Sequence, residues 1–358
     1  MKAYLPYCAA LLLLLGAAPA AAKEKAPAPA KEKTAPAPKE KTETPPAPTV
    51  DPAEAAATLE KVQKALDAKE YDKAYTLVKP LADAQVPDAL FVLGRMYETG
   101  KGAKKNAGKA VECFRKGAQM GDPSSMNSYA AALTNGSGVK ANTKEAVRWF
   151  RKAAESGHAT AQYNMGYMYA NGRGVKISEN DAIEWYTRAA TQGLAAAQFS
   201  LGWLYMNTKS GNQSDTKAVH WLQKAADQDH PRAQNNLAFM YGEGRGYAQD
   251  WKKAAEWYER AALQNYAIAQ YNLGYLYETG KGVGQNYTTA ADWYRRAAEQ
   301  NEPAAMYSLG LLYDQGNGVE RNLHEAYRWY QQAAAAGDPD AKQIVNNQKK
   351  QEQKNRHK

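Results

Sequence analysis

Apolar and small residues recur along this chain with the period of an α-helix, in pairs of segments separated by glycine-rich stretches. In residues 267–302 these positions are Ala269, Leu273, Leu276 and Tyr277 in the first segment, and Ala290, Trp293, Tyr294, Ala297 and Ala298 in the second. Spacings of three and four residues place side chains on one face of a helix. Glycines between the segments break the pattern, because they accept left-handed backbone angles without steric cost. Each pair of segments therefore predicts a helix, a turn and a second helix.

This pattern repeats every 36 residues from residue 87 to residue 338, without an insertion or a deletion. The seven units begin at Pro87, Pro123, Ala159, Ala195, Pro231, Ala267 and Pro303, and these residues define position 1 of a unit. Position 8 is glycine or alanine, position 11 is tyrosine except at Leu133, position 24 is alanine, and position 27 is tryptophan except at Cys113. Self-similarity at this period predicts an all-α solenoid in which each unit buries its apolar face on its neighbours.

Two positions mark the ends of the second helix. Position 20 is occupied by residues whose side-chain oxygen can cap a helix N-terminus: Asn106, Asn142, Ser178, Ser214, Asp250, Asn286 and Asn322. Acidic residues at position 23, which are Glu145, Asp181 and Glu325, predict complete or approximate capping boxes. Position 35 is glycine or asparagine in most units, as expected of a left-handed residue that ends a helix.

The glycines at position 8 of the first helix require a packing reason, since glycine in a helix interior costs about 1 kcal/mol relative to alanine. We expect each small residue to lie opposite the tryptophan of the second helix, so that the two backbones approach while the indole fills the gap. The loop of the fourth unit departs from the pattern, because Thr208 and Ser210 replace glycines, and it is expected to protrude or to bend the superhelix.

The segments outside the repeats predict an exported protein. Residues 1–22 have the order of a secretory signal peptide, with cleavage expected near Ala22. An uncleaved N-terminal segment that anchors the chain in the inner membrane is the alternative. Residues 23–50 are rich in proline, alanine and lysine and predict a disordered spacer, or simply a solubilising leader. Residues 51–86 resemble a degenerate capping repeat, and residues 339–358 a capping helix with a basic tail.

Charge and composition argue against several functions. The formal net charge of +9 comes mainly from residues 1–50 and 339–358, which leaves +2 for residues 51–338. Without a basic stripe, nucleic acid is not expected as a partner, although the basic tails are able to contact an anionic envelope weakly. The five histidines are scattered, and Cys113, the only cysteine after the signal, is expected to be a packed apolar side chain. We expect no catalysis, no cofactor and no metal.

The repeat resembles the Sel1-like repeat family, a relative of the tetratricopeptide repeats. The motif is LGxLYxxGxGV, found as LGYLYETGKGV in residues 273–283, followed by AADWYRRAAEQ from Ala290. The resemblance covers residues 87–338 and implies a right-handed superhelix that serves as an adaptor or scaffold for other proteins. Exported bacterial members resemble envelope and virulence factors. One branch with paired cysteines in each repeat is linked to β-lactam hydrolysis, and this chain lacks those cysteines.

The resemblance also implies that positions 5, 6 and 9 of the first helix face the concave groove of the superhelix. The candidate partner-binding residues there are Tyr163, Asn164, Tyr167, Phe199, Trp203, Asn236, Phe239, Tyr271, Asn272, Tyr275 and Tyr307. Aromatic rings with amides along a groove are suited to an extended peptide. The alternative interpretation is that many of these rings pack against adjacent helices.

These observations predict an exported envelope adaptor that docks other proteins or peptides, such as cell-wall enzymes or secretion components, in the periplasm or outside the cell. A protein that binds peptidoglycan or carbohydrate by stacking on Trp203, Tyr167 and Tyr275 is the alternative from another class. A β-lactam hydrolase is the third reading, which rests only on the cysteine-rich relatives.

Overall fold

The described part of the chain, residues 50–208, 211 and 213–356 of a computed structural model, is entirely helical and contains no β-strand. The helices are α1 (Pro52–Asp67), α2 (Tyr71–Asp83), α3 (Pro87–Thr99), α4 (Ala107–Gln119), α5 (Pro123–Asn135), α6 (Thr143–Glu155), α7 (Ala159–Asn171), α8 (Glu179–Thr191), α9 (Ala195–Asn207), α10 (Asp215–Ala226), α11 (Pro231–Glu243), α12 (Trp251–Leu263), α13 (Ala267–Thr279), α14 (Tyr287–Glu299), α15 (Pro303–Gln315), α16 (Leu323–Ala336) and α17 (Pro339–Arg356).

Each unit of 36 residues forms one helical hairpin, with its first helix at positions 1–13 and its second helix beginning at position 21. Each helix packs mainly against the helices that precede and follow it in the chain. First helices of successive units also touch, as α3 touches α5 and α9 touches α11. The predicted α-solenoid is therefore confirmed for the described residues.

The predicted caps of the second helices are confirmed. In every unit the side chain at position 20 accepts a hydrogen bond from the backbone amide at position 23, as Asn106 does from Lys109 at 2.9 Å. At position 35 the backbone is left-handed in all seven units. These residues are Gly121, Gly157, Gly193, Asp229, Asn265, Asn301 and Gly337, with φ between 58° and 111°.

The prediction of complete capping boxes is wrong. A capping box needs the acidic side chain at position 23 to accept from the backbone amide at position 20. That amide donates instead to the carbonyl oxygen at position 11 of the first helix, from Asn142 to Leu133 at 2.8 Å and from Asn322 to Tyr313 at 2.9 Å. Glu145 accepts from the side-chain amide of Asn142, at 3.0 Å. The backbone bond across the hairpin fixes where the second helix begins.

The prediction that the position 8 glycine lies opposite the tryptophan at position 27 is also wrong, because the contact is one residue further along the second helix. A Cβ on Gly274 would lie 2.8 Å from two ring carbons of Tyr294, which is at position 28 and not at the tryptophan position 27. The same holds where Gly94 faces Phe114 and Gly310 faces Tyr330. One step along a helix turns the side chain by about 100°, so position 28 lies against position 8 of its own unit while position 27 points to a different side of the second helix.

The tryptophans at position 27 are instead partly exposed on the second helices, except Trp185, which is 7% exposed. A lysine or arginine lies over each ring, with the cation 4.4–5.2 Å from the ring centroid. The paired residues are Trp149 with Lys152, Trp185 with Arg188, Trp221 with Lys224, Trp257 with Arg260, Trp293 with Arg296 and Trp329 with Arg328. Such contacts stabilise a partly exposed site by about 0.5–1 kcal/mol.

A row of buried glutamines joins the third unit to the sixth. Gln234, at position 4, is fully buried and donates through Nε2 to the carbonyl oxygen of Ala226 in the preceding unit, at 3.2 Å. Its Oε1 accepts from Nε2 of Gln264, at position 34 of its own unit, at 2.8 Å. The same pairs are Gln162 with Gln192, Gln198 with Gln228, and Gln270 with Gln300. Each pair supplies hydrogen bonds to polar groups that would otherwise be buried without partners.

The loop glycine at position 16 brings successive units into backbone contact. A Cβ on Gly174 would lie 2.8 Å from the carbonyl oxygen of Thr143, at the start of the second helix of the preceding unit. Gly138 and Gly282 meet Ala107 and Trp251 in the same way. All of these glycines have φ between 71° and 73°, so both the space and the backbone angle favour glycine.

At the two ends of the array the chain continues as helices. Residues 52–83 form the hairpin of α1 and α2, and α2 packs on α3. After the last unit, α17 packs on α16 through Ala341 and Val345, and its remaining surface is polar. The predicted signal peptide and spacer up to residue 49, and Ser210 of the fourth loop, lie outside the described residues.

Candidate functional site

The candidate residues at position 9 lie on the first helices of the central units and are partly exposed. They are Tyr167, Trp203, Phe239 and Tyr275. Because position 8 beside them is buried against the second helix, position 9 is turned away from that contact by one helical step. Trp203 and Phe239 pack against the buried side chains of α9–α11, so each ring is partly covered and partly available.

The aromatic residues at position 5 are mainly packing residues. The ring centroids of Tyr163 and Tyr186 are 5.6 Å apart, and those of Tyr271 and Tyr294 are also 5.6 Å apart. Tyr307 lies against Tyr330 in the same way, at 5.8 Å. These pairs join the two helices of one hairpin, and the outer parts of the three position 5 rings remain partly exposed.

Phe199 departs from this arrangement because its own unit has Leu222 at position 28. Its ring stacks on the imidazole of His230 at 4.8 Å, and the guanidinium of Arg232 lies 4.7 Å from the ring centroid. Only 8% of Phe199 is exposed. This ring therefore offers little surface to a partner.

The asparagines connect neighbouring first helices. Asn164 donates through Nδ2 to Oδ1 of Asn127, at 2.9 Å, and Asn272 donates to Oδ1 of Asn235, at 3.0 Å. Asn235 in turn donates to Oδ1 of Asn236, at 3.3 Å, and only 8% of Asn236 is exposed. The amides thus join α5 to α7 and α11 to α13, and help to set the spacing of the aromatic residues on those helices.

Sequence reasoning missed Asn127 and Asn235, the partners in these two bonds. A signal for them exists in the sequence. Position 5 is asparagine only in the second and fifth units, and the unit that follows each of them has asparagine at position 6. The paired residues are therefore 37 apart in both cases, one more than the repeat length.

Cations from the loops lie beside the position 9 rings. The guanidinium of Arg173 is 6.0 Å from the ring centroid of Tyr167. Lys281 lies 5.3 Å from the ring centroid of Tyr275, and its Nζ donates to the Tyr275 hydroxyl at 3.3 Å. Each of these side chains is partly exposed, so an aromatic surface and a positive charge are presented together.

Burial changes the ionisation of several residues near this surface. It raises the pKa of the Tyr271 hydroxyl to about 12 and that of Tyr294 well above its usual value. Tyr294 donates through its hydroxyl to Oε2 of Glu278, at 2.5 Å. Both tyrosines are neutral at physiological pH and act as apolar rings with a hydrogen-bonding end.

Little in the described residues points to chemistry. Among them, no group of three His, Cys, Asp or Glu side chains is placed to hold a metal ion. Burial raises the pKa of the Cys113 thiol, and that side chain packs against the apolar core. A raised pKa leaves less of the reactive thiolate. No helix between residues 50 and 356 combines the length and the apolarity needed to cross a membrane.

Comparison with known proteins decides the family. The sequence profile of the Sel1 repeat matches residues 87–122, 123–158, 159–194, 195–230, 231–266, 267–302 and 303–338, which are the seven units. The chain belongs to the Sel1-repeat family. No match to it was found among curated protein sequences.

Two solved structures of Sel1-repeat proteins are similar to the chain. One is a protective antigen present in uropathogenic Escherichia coli strains, with an SLR fold, at 31% identity and a TM-score of 0.68 over 82% of this chain. The chain spans 66% of the length of that protein. The other is a Sel1 repeat protein from Oxalobacter formigenes, at 29% identity and a TM-score of 0.63, covering 83% of this chain and 87% of that one.

Membership of the Sel1-repeat family establishes the general role of the fold. Sel1-repeat solenoids are scaffolds for interactions between proteins and are generally not enzymes. The aromatic residues of the first helices are therefore weighed as a surface for another protein.

Proposed function

We propose that this Sel1-repeat protein is an exported, non-enzymatic scaffold whose first helices dock a segment of another protein across the third to sixth units. The observation that carries the proposal is the series of partly exposed rings at position 9, Tyr167, Trp203, Phe239 and Tyr275, which recur on the first helices of four successive units.

The chemistry of these rings suits a polypeptide ligand. Aromatic side chains supply a large contact area at a small entropic cost and are enriched where binding energy is concentrated. The position 5 rings of Tyr163 and Tyr271 are held against the second helices, and the bond between Asn272 and Asn235 joins two of the four first helices, α13 and α11. The surface is thus organised before a ligand binds, which reduces the entropy lost on binding.

Site-specific photo-crosslinking tests the proposal. A benzophenone amino acid is placed at Trp203, at Tyr275 and, as a control, at His220, which is exposed on the second helix of the same unit as Trp203. In cells that make the protein, the first two positions should give the same polypeptide adduct, and His220 should not. Adducts of equal yield at all three positions would show that contact is not confined to the first helices and would contradict the proposal.

A second variant measures affinity once that partner is identified. Substituting Trp203→Ala with Tyr275→Ala should weaken its binding by about a hundredfold, because each lost aromatic contact costs about 1–2 kcal/mol. Trp221→Ala, which removes a tryptophan from the second helix, is the matched control and should leave the affinity nearly unchanged. Sedimentation of the wild-type chain with purified peptidoglycan, lost in the double variant and without any protein adduct, would instead support a carbohydrate-binding protein.

We further propose export with cleavage near Ala22, so that the scaffold works in the periplasm or outside the cell. The order of residues in 1–22 supports this, as does the similarity to a protein described as a protective antigen, since such an antigen must be reached by the immune system. Cell fractionation followed by N-terminal sequencing should find a mature chain that begins at Lys23. A full-length chain retained in the membrane pellet would contradict cleavage.

A further inference from the structure

The loop edge of the first three units carries a concentration of unpaired positive charge. At position 18 the residues are Lys104, Lys140 and Lys176, and all three are exposed. Lys105 and Lys144 add further exposed cations on the same loops and at the start of α6. Among the described residues, none of these five lysines takes part in an ion pair.

These lysines form one continuous edge because the loops touch. The Gly138 loop rests on the start of α4, and the Gly174 loop rests on the start of α6. The loop of each unit therefore lies beside the N-terminus of the second helix of the preceding unit. A shallow depression of about 570 Å³ lies beside the first loop, and its lining has mixed charge, with Lys69, Lys73 and Lys101 next to Glu70 and Asp72.

The lysines sit where local stability does not favour them. The second helices begin at this edge, so the positive ends of their dipoles point towards it, and acidic residues are the favoured neighbours there. Helix α4 has no acidic residue in its first turn and carries Lys109 instead, whereas α6 has Glu145 there and α8 has Glu179 and Asp181. At α4 the cations therefore strengthen the field at the edge and weaken the start of the helix, while at α6 and α8 acidic residues offset part of that field.

The same edge is different in the last two units, which provides an internal comparison. At position 18 the residues are Gly284 and Glu320. Residues 87–194, the first three units, contain fifteen basic and nine acidic side chains, a net charge of +6 that comes from the first two units, whereas residues 267–338 contain five basic and eight acidic ones, a net charge of −3. The positive edge is thus a property of one end of the array and not of the repeat.

We infer that the edge formed by Lys104, Lys105, Lys140, Lys144 and Lys176 binds an acidic polypeptide segment rich in aspartate and glutamate. The positive charge of the edge favours an anionic ligand. The edge is also joined to the aromatic surface, since Arg173 of the third loop lies over the ring of Tyr167. A ligand that crosses both surfaces is therefore expected to be a polypeptide. The inference rests on the proposed function in that both take a polypeptide as the ligand. The acidic segment would fix which way the partner lies along the array.

Fluorescence anisotropy with a labelled peptide of about ten glutamates, which is long enough to cross neighbouring loops, tests the inference on the full mature chain. The wild type should bind it at about 0.02 M salt and much more weakly at about 0.5 M, where exposed charges are screened. A peptide of the same length made of glutamine should not bind. Absence of binding to the glutamate peptide at low salt would overturn the inference.

Charge reversal locates the site. Lys104→Glu, Lys140→Glu and Lys176→Glu together should weaken binding by about tenfold or more, since three attractions become repulsions. The control, Lys342→Glu with Lys349→Glu and Lys350→Glu, changes the net charge equally at exposed positions of α17 and should stay within about twofold of the wild type. Circular dichroism on both variants confirms that the helices are retained. Equal losses in the two variants would overturn the inference.

Vesicles distinguish a peptide from a membrane surface. If the chain sediments with anionic phospholipid vesicles through these lysines and does not bind the glutamate peptide, the edge is a membrane contact and the inference is wrong. The photo-crosslinking at Trp203 and Tyr275 does not depend on these lysines, so it can succeed while this inference fails. Conversely, peptide binding at the edge without adducts at Trp203 would contradict the proposed function alone.

Discussion

Gly274 lies directly against the ring of Tyr294, so close that a Cβ atom would come within 2.8 Å of two ring carbons. Tyr294 is fully buried and its hydroxyl is held by Glu278. Gly274 and Glu278 lie one turn apart on α13, so the same helix packs against the ring and accepts from its hydroxyl. The hairpin keeps a glycine in the middle of a helix because this contact leaves no room for a larger residue.

Gly274→Leu should destabilise the protein by about 1–3 kcal/mol, because overpacking of a well-filled contact forces the ring or the helix to move. The control is Gly284→Leu in the same unit, where nothing lies within 4 Å of the added Cβ, and it should change stability by less than about 0.5 kcal/mol. Thermal or urea unfolding followed by circular dichroism measures both. Similar losses in the two variants would show that the ring contact is not what requires glycine.

The Gln234–Gln264 pair should be energetically coupled. Gln234→Met places in this slot the residue that Met126 and Met306 supply in other units, and it should cost about 1–2 kcal/mol through the lost hydrogen bonds. In a double-mutant cycle with Gln264→Ala, the two losses should not add, with a coupling of about 0.5–1.5 kcal/mol. Additive losses would mean that the bond between the two side chains contributes nothing.

Two histidines should make stability depend on pH. His158 and His230 cap α7 and α11 through Nδ1, which accepts from Ala161 at 3.2 Å and from Ala233 at 3.3 Å. Burial lowers the pKa of both imidazoles below its usual value, and Arg232 adds to the effect at His230. As pH falls below about 6.5, the unfolded chain takes up protons before the folded one, so stability decreases until the folded pKa values have been passed.

His158→Asn with His230→Asn keeps a capping oxygen and removes the titration. Between pH 7.5 and pH 5.5, this double variant should lose less stability than the wild type. Thermal unfolding of both proteins at the two pH values measures the difference. Burial raises the pKa of Glu302 and Asp338, which acts in the opposite direction, but these groups are present in both proteins and cancel in the comparison. Equal pH dependence in the two proteins would exclude the histidine caps as the cause.

Arg245 should matter more than the other ion pairs. It donates through Nε and Nη2 to the carboxylate of Asp215, at 3.1 and 2.5 Å, and also to the carbonyl oxygen of Met206, at 3.0 Å. Both charged side chains are partly buried, and they join the fourth and fifth units. Arg245→Ala should cost about 1–2 kcal/mol, and Arg245→Lys should restore little because it cannot form the two-pronged contact.

The exposed Lys253–Asp250 contact, at 3.8 Å, is the control for Arg245. Lys253→Ala should change stability by less than about 0.5 kcal/mol, as is usual for exposed pairs. Urea unfolding measures all three variants. If Arg245→Ala proved as mild as Lys253→Ala, the contact between the units would have no energetic role.

The sequence was sufficient for the repeat, the helices and their caps, because each depends on residues within one unit. A period of 36, asparagine or serine at position 20 and glycine at position 35 report local backbone geometry directly. The partner of Gly274 was predicted wrongly, since Trp293 and Tyr294 are adjacent and periodicity alone does not say which of them faces the first helix. The capping box failed because the amide of Asn142 is occupied by Leu133, a contact between two helices.

The candidate surface was harder to predict because it depends on contacts between units. The sequence of one repeat does not predict the hydrogen bond between Asn164 and Asn127. Nor does it predict that Phe199 stacks on His230 where Leu222 replaces an aromatic residue. The exposure of position 9 likewise depends on which side of the first helix is packed against the second helix, and this is set by position 8. Comparing each unit with the next, at an offset of one residue, would have found the asparagine pairs.

The backbone contact of the position 16 glycine limits how such a protein can change in evolution. A residue inserted into one of these loops would move the glycine away from the preceding unit and break its contact with the start of that unit's second helix. Duplicating or deleting a complete unit that has this glycine preserves such contacts, because the unit brings both the glycine and the helix start on which the next one rests. The array is therefore free to lengthen or shorten in steps of one repeat, while the loops themselves are held to a fixed length.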